Sequence, residues 1–169
     1  MWLGQAYYGT NLAPNFIRAT NIINVLKLFN DDVEDIGNIS VYNKHQYNNV
    51  SIIASIIRDL ATIVAKILAK RFPLILGGDH SIAIGTLAGA GMYFNNLGII
   101  WFDAHADINT PITSPTGNVH GMPLAVSMGY GHPESTIIGK SFSKVKPRNI
   151  IYIRLREIDI EEEKLIRGS

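Results

Sequence analysis

The chain has 169 residues, of which 47% are hydrophobic and 17% charged, and a formal net charge of +1. This balance favours one globular domain and gives no warrant for a nucleic-acid or anionic-membrane partner. Cysteine is absent, which rules out a disulfide framework or thiolate metal site and suits a reducing cytoplasm. No basic segment followed by an apolar one opens the chain, and no uncharged run approaches the roughly 18 residues of a membrane span; the expectation is a soluble, cytoplasmic protein.

In chain order, Met1 to Pro14 reads as loop, and Phe16 to Phe29 carries apolar residues at helical spacing (Phe16, Ile17, Ile22, Ile23, Leu26). A short strand is expected at Val33 to Ile36, ended by Gly37. Asn48 to Lys70 is the clearest helix, its apolar stripe running from Ile52 and Ile53 to Ile67 and Leu68. Phe72 to Leu76 reads as a buried strand that breaks at Gly77-Gly78, after which Ser81 can cap a helix over Ile82 to Phe94. Leu97 to Phe102 is apolar and runs into Asp103-Ala104-His105-Ala106-Asp107. A long loop with Pro111, Pro115, Gly117 and Gly121 follows, then a strand at Asn149 to Leu155 and a last helix begun by Asp159. Strands alternating with helices predict an α/β fold: three layers, with a mostly parallel central sheet covered on both faces.

Such a sheet places ligands at the carboxyl ends of its strands, and three motifs fall there. In Gly77-Gly78-Asp79-His80-Ser81, paired glycines permit a tight turn that aims His80 outward. The Asp103 to Asp107 run ends a buried strand, in which residues at i, i+2 and i+4 share a face, so Asp103, His105 and Asp107 are expected to converge. The third motif, Ser114 to Gly121, is crowded with hydrogen-bonding side chains and includes His120. Carboxylate and imidazole without thiolate suit manganese, iron or zinc. His80 alone reads equally as a capped-turn histidine, but with Asp103, His105 and Asp107 it forms a metal-ligand set. His45, His132 and Trp2 read as surface or packing residues, and Gly89 with Gly91 is weak evidence for a nucleotide site.

The segment from Pro73 to Leu124 resembles the arginases of the ureohydrolase family, which share the Gly-Gly-Asp-His-Ser turn, the Asp-Ala-His-Ala-Asp-Ile-Asn-Thr run and the Gly-Asn-Val-His-Gly-Met-Pro loop. A weaker resemblance extends from Leu3-Gly4-Gln5 to Ile151-Tyr152-Ile153, with Met122 and Gly131-His132-Pro133 pointing to the bacterial type. The resemblance implies a single arginase-like domain over 1–169, and a manganese-dependent hydrolase that converts L-arginine to L-ornithine and urea. It implies two manganese ions, held by His80, Asp103 and Asp107 on one side and by His105 with a bridging Asp103 on the other. It also implies catalytic roles for Asp107 and for His120, the latter in proton transfer. The guanidinium carbon is a poor electrophile, and two cations supply hydroxide near neutral pH. By the same resemblance Asn109, Thr116 and Asn118 surround the substrate α-carboxylate, and Asp159 and Glu162 bind its α-ammonium group. Asp159 with Glu162 three positions on is equally a helix-capping arrangement; His120 could instead satisfy a backbone carbonyl. The family assembles as trimers or hexamers.

Departures from the pattern matter as well. The resemblance implies that the family's first strand and its Ser-x-Asp-x-Asp-x-x-Asp-Pro motif, which completes both metal shells, lie outside this chain. The domain is then incomplete at both ends and weakly active or inactive alone. Arg154 stands where arginases carry Gly. The competing readings are another ureohydrolase, of agmatinase or formiminoglutamase type, and a non-catalytic metal-binding or interaction fragment.

Overall fold

The computed structural model describes residues 3–5, 8–40, 49–131 and 145–168; Trp2, His45 and His132 lie outside them. Helices pack on a parallel sheet. The amphipathic stretch forms α3 (Asn49–Leu68), whose stripe meets α4 (Ile82–Tyr93). Ile53, Ile57, Ala61, Ile84 and Ala88 make their shared core. Each such isoleucine, once fully buried, contributes about 1.5–3 kcal/mol. Ahead of them, α1 (Ala13–Ala19) and α2 (Ile22–Lys27) replace the single helix expected over Phe16 to Phe29. Asn21 breaks it by adopting φ 65°, a left-handed conformation that asparagine tolerates better than most residues.

Strand β1 (Ile99–Phe102) pairs in parallel with β2 (Ile150–Ile153), Trp101 lying opposite Tyr152. Short α5 (Pro123–Met128) is buried along its whole length. It joins two cores: Val126 faces the α3–α4 cluster, whereas Leu124, Ala125 and Met128 pack with Ile99, Trp101, Ala106 and Ile108 beneath the sheet. The terminal helix α6 (Ile160–Arg167) adds Leu165 and Ile166 to that second core. The sheet's other face is apolar but open, with Ile100 68% and Phe102 73% exposed. No helix among the described residues is long and apolar enough to cross a membrane.

Two expected strands do not form. Val33 to Ile36 and Phe72 to Leu76 belong to no ladder among the described residues, and Phe72 and Leu74 are exposed rather than buried. Their composition suits a strand, but a strand needs a neighbour's N–H and C=O groups, and none of the described residues supplies them.

Arg154 leaves β2 at φ 69°, the left-handed region that costs an ordinary L-residue about 1–2 kcal/mol. The glycine that the resemblance places here would adopt it freely, less about 0.5–1 kcal/mol of extra chain entropy. Arg154→Gly is therefore expected to raise the urea unfolding midpoint modestly, by up to about 1 kcal/mol in stability. A lowered midpoint would show that the arginine side chain more than offsets its backbone strain.

Candidate metal centre

His80 is aimed by the turn that opens α4. Ser81 stands at the N-cap position but makes no side-chain cap bond. Instead its hydroxyl and its backbone N–H (2.9 Å) both donate to Asp79 Oδ1. The capping expectation for Ser81 thus gives way to a carboxylate that locks the turn. The His80 ring stacks on Trp101, centroids 4.6 Å apart at 20°, so its orientation is set by the sheet core. Trp101 Nε1 is buried with no hydrogen-bond partner among the described residues.

Asp107 reaches the same point by a different route. The chain bends after β1 at Asp103 and Ala104, and Asp107 adopts φ 49°. Its Oδ2 lies 2.6 Å from His80 Nδ1, and Asp103 Oδ2 lies 3.3 Å from the same nitrogen. One ligand atom from each of His80, Asp103 and Asp107 falls within 4.8 Å of the others. Burial disfavours the charged His80 imidazolium, but the Asp107 hydrogen bond and the charges of Asp107, Asp103 and Asp79 outweigh it and raise its pKa.

His105 stands apart from this trio, which corrects the expectation that Asp103, His105 and Asp107 converge along one extended strand. Regular pairing ends at Phe102 because Asp103 Oδ1 accepts the His105 N–H at 3.0 Å, a local turn that competes with the ladder. The His105 side chain, 58% exposed, faces Asp103 Oδ1 at 3.5 Å through Nδ1 and Glu157 Oε2 at 3.2 Å through Nε2. Asp103 therefore turns one oxygen to each of two imidazoles. The outer side of Asp103 borders a cleft also lined by Phe102, Ala104, Arg154 and Arg156.

These donors fit a cation. Among the described residues neither Asp103 nor Asp107 pairs with lysine or arginine, and their nearby partners are imidazoles. Two carboxylates facing inward with imidazole rather than lysine or arginine beside them, and no sulfur, make a hard to borderline site. Glu157 adds a third carboxylate beside His105 that spacing alone did not reveal. It is brought there by an isolated bridge between residues 52 apart, His105 and Glu157.

The remaining candidates lie in two groups. Asn109 is buried; its amide donates to Asp159 Oδ2 at 2.7 Å and accepts from Thr113 Oγ1 at 2.8 Å. Asp159 and Glu162 form the capping box of α6. Asp159 Oδ1 accepts the Glu161 and Glu162 N–H groups, and Glu162 returns a bond to the Asp159 N–H. Glu162 also accepts the Ile108 N–H at 3.2 Å, so the pair braces the run between Asp107 and Asn109. Burial favours the neutral form of Asp159, yet bonds from Asn109, Glu162 and Glu161 hold its pKa below the usual value. For Glu162 burial prevails over its hydrogen bonds and raises the pKa. Burial, with the charges of Glu162 and Asp107, pushes the Tyr152 phenol up to about 12, so it stays protonated and donates to Ala106 O at 3.3 Å.

In the loop, exposed Thr116 accepts the Asn118 N–H at 3.2 Å. His120 is half-buried, and both its N–H and its Nδ1 meet the Gly4 carbonyl, at 3.0 and 2.9 Å. The carbonyl-satisfying arrangement is thus present, and it leaves Nε2 free of that contact.

Residues 2–169 match the family described as the arginase family. The chain is 43% identical to an arginase from Bacillus caldovelox over 176 residues, covering 99% of this chain and 59% of that protein. It is 45% identical to an arginase from Bacillus subtilis strain 168 over 175 residues, covering 100% of this chain and 59% of that one. The fold matches a crystal structure of Bacillus subtilis arginase with a TM-score of 0.92 and 46% identity, over 100% of this chain and 58% of the other. It also matches an Entamoeba histolytica arginase in complex with L-ornithine, with a TM-score of 0.87 and 34% identity, over 99% and 59% of the two chains. The chain thus spans about three-fifths of the length of these relatives.

Proposed function

This chain belongs to the arginase family, and from that premise we propose that it supplies the metal-binding and substrate-carboxylate side of an enzyme hydrolysing L-arginine to L-ornithine and urea. The observation that carries the reading is the convergence of His80, Asp103 and Asp107, the two carboxylates pairing with no lysine or arginine among the described residues. These three residues would hold one manganese ion, and His105 with the second oxygen of Asp103 would hold another. When bound, the ions supply Lewis acidity that lowers the pKa of water enough to make hydroxide available near neutral pH.

The chain's own residues then do the rest. Asp107, buried against His80, keeps the imidazole oriented. Thr116 uses its oxygen as an acceptor toward Asn118, so its hydroxyl hydrogen can donate to the substrate α-carboxylate. The Asn118 amide would donate beside it, and Asn109 has one amide hydrogen beyond its bond to Asp159. Asp159 and Glu162 offer negative charge to the α-ammonium group while bracing the same segment. His120, with Nδ1 committed to the Gly4 carbonyl, presents Nε2 to shuttle a proton to the leaving δ-amine. Absence of cysteine suits a cytoplasmic setting, and we extend the proposal to a homo-oligomeric assembly.

Agmatine carries the same guanidinium as arginine but no carboxylate, so Thr116 and Asn118 separate the arginase reading from the agmatinase one. Each lost carboxylate contact costs about 1–3 kcal/mol. The test is urea release by the chain with manganese, on L-arginine and on agmatine in parallel. Turnover, at whatever rate, is expected to favour arginine by at least about tenfold and to vanish on chelation. Preference for agmatine would overturn the arginase reading, whereas manganese binding without turnover of either is what a chain supplying only part of the enzyme gives.

A further inference from the structure

Three segments far apart in sequence meet at Gly4. Its N–H donates to Asp79 Oδ2 at 3.1 Å across 75 residues, and its carbonyl accepts from His120 Nδ1 at 2.9 Å across 116. The His120 backbone N–H donates to the same carbonyl at 3.0 Å. Gly4, Asp79 and Ser81 are all buried, Asp79 at 6% and Ser81 at 0% exposed. A Cβ at position 4 would lie 2.7 Å from Asp79 Oδ1 and 2.8 Å from Ser81 Oγ, so only glycine fits without displacing the turn that carries His80.

We infer that Gly4 and Asp79 are positioning residues that hold the His80 turn and the His120 ring in one hydrogen-bonded unit, with the Gly4 carbonyl fixing the tautomer of His120. The inference rests on the reading of His80 as a metal ligand and His120 as a proton carrier. Its chemistry is constrained at both ends. A carbonyl oxygen only accepts, so His120 Nδ1 must carry a proton, and in the neutral ring the lone pair is then on Nε2. Asp79 faces three donors: the Gly4 N–H on one oxygen, and the Ser81 N–H and hydroxyl on the other. A side chain that accepts through both of its oxygens satisfies all three, whereas an asparagine in its place would turn an NH2 group against one side.

The ligand turn at His80 and the histidine at the far side of the loop are therefore set relative to each other by a peptide group from the N-terminal segment. Neither histidine is positioned by its own element alone, and any shift of Gly4 is transmitted to both.

The test uses the whole chain labelled with 15N-histidine and long-range proton–nitrogen correlation at about pH 8.5, two units above the usual imidazole pKa of roughly 6.5. The five histidines are separated by assigning His120 through its loss in His120→Gln. The wild type is expected to show His120 as a single Nδ1–H tautomer. In Asp79→Asn, which preserves volume, and in Gly4→Ala, the signal is expected to move toward the Nε2–H form that free histidine favours, while circular dichroism keeps its helical signature. Manganese affinity of Asp79→Asn is expected to fall about tenfold or more through His80, as for other residues that orient a ligand. A wild-type His120 in the Nε2–H form overturns the role of the carbonyl, whether or not either variant folds. An Asp79→Asn chain that keeps both the tautomer and the affinity overturns the linkage. Loss of the arginase reading would appear instead as a preference for agmatine over arginine with the His120 tautomer intact.

Discussion

Asp107→Asn is expected to weaken the tighter manganese-binding event at least about 100-fold, on the order of 2.7 kcal/mol. The substitution removes one negative charge from a trio in which Asp107 is the most buried member, with its Oδ2 2.6 Å from His80 Nδ1. Asparagine is the informative replacement because it keeps the volume and accepts the left-handed backbone at φ 49°. Alanine would add strain unrelated to the metal. His105→Ala should behave differently. Its side chain is largely exposed and, of the trio, faces only the second oxygen of Asp103, its other nitrogen meeting Glu157, so the tighter event should survive and a weaker second event should disappear. Calorimetric titration with manganese separates the two cases. Equal losses in both variants would show that the two imidazoles serve a single ion, and an unchanged Asp107→Asn would remove the trio as the site.

Gly89→Ala is the second large effect, and it concerns the scaffold. A methyl at Gly89 would sit 2.5 Å from the Ala61 carbonyl oxygen and 2.7 Å from Val64 Cβ, and one at Gly85 would meet Ile57 O at 2.9 Å. The two glycines lie one turn apart on α4 and let it approach the backbone of α3. This role replaces the weak nucleotide-site reading of Gly89. Because the obstacle is partly main chain, no side-chain rotation relieves it and α3 has to move. Overpacking of this kind costs about 1–3 kcal/mol or more. The gain in helix propensity from glycine to alanine offsets about 1 kcal/mol. A net loss of up to about 2 kcal/mol is a large share of the roughly 5–15 kcal/mol of a typical domain. Urea denaturation would register it as a lower midpoint, with Gly98→Ala, whose nearest neighbour would be 3.9 Å away, as the neutral control. An unchanged midpoint for Gly89→Ala would mean that the helix contact is looser than the geometry demands.

Helix α3 was legible because its stripe from Ile52 to Leu68 is a property of the segment alone, and the α6 boundary was legible because Asp159 and Glu162 cap within one turn. The metal trio was legible in part. His80, Asp103 and Asp107 were identifiable by residue type and by their places after apolar segments. The exclusion of His105 was not, because it depends on Asp103 accepting a backbone N–H two residues on, instead of the chain continuing straight.

Residue chemistry and short-range pattern determined the identity of the donors, the main helices and the membership of the arginase family, since ligand type, helical period and capping act within a few residues. Contacts between distant segments decided the rest: that Phe72 to Leu76 stays out of any described ladder, that Glu157 arrives beside His105, that Gly89 lies against α3, and that Gly4 ties Asp79 to His120. The physical reason is common to all four. A strand, an ion pair, a close backbone approach and a fixed tautomer each need a partner group supplied from elsewhere, and only the folded chain places it within about 3 Å.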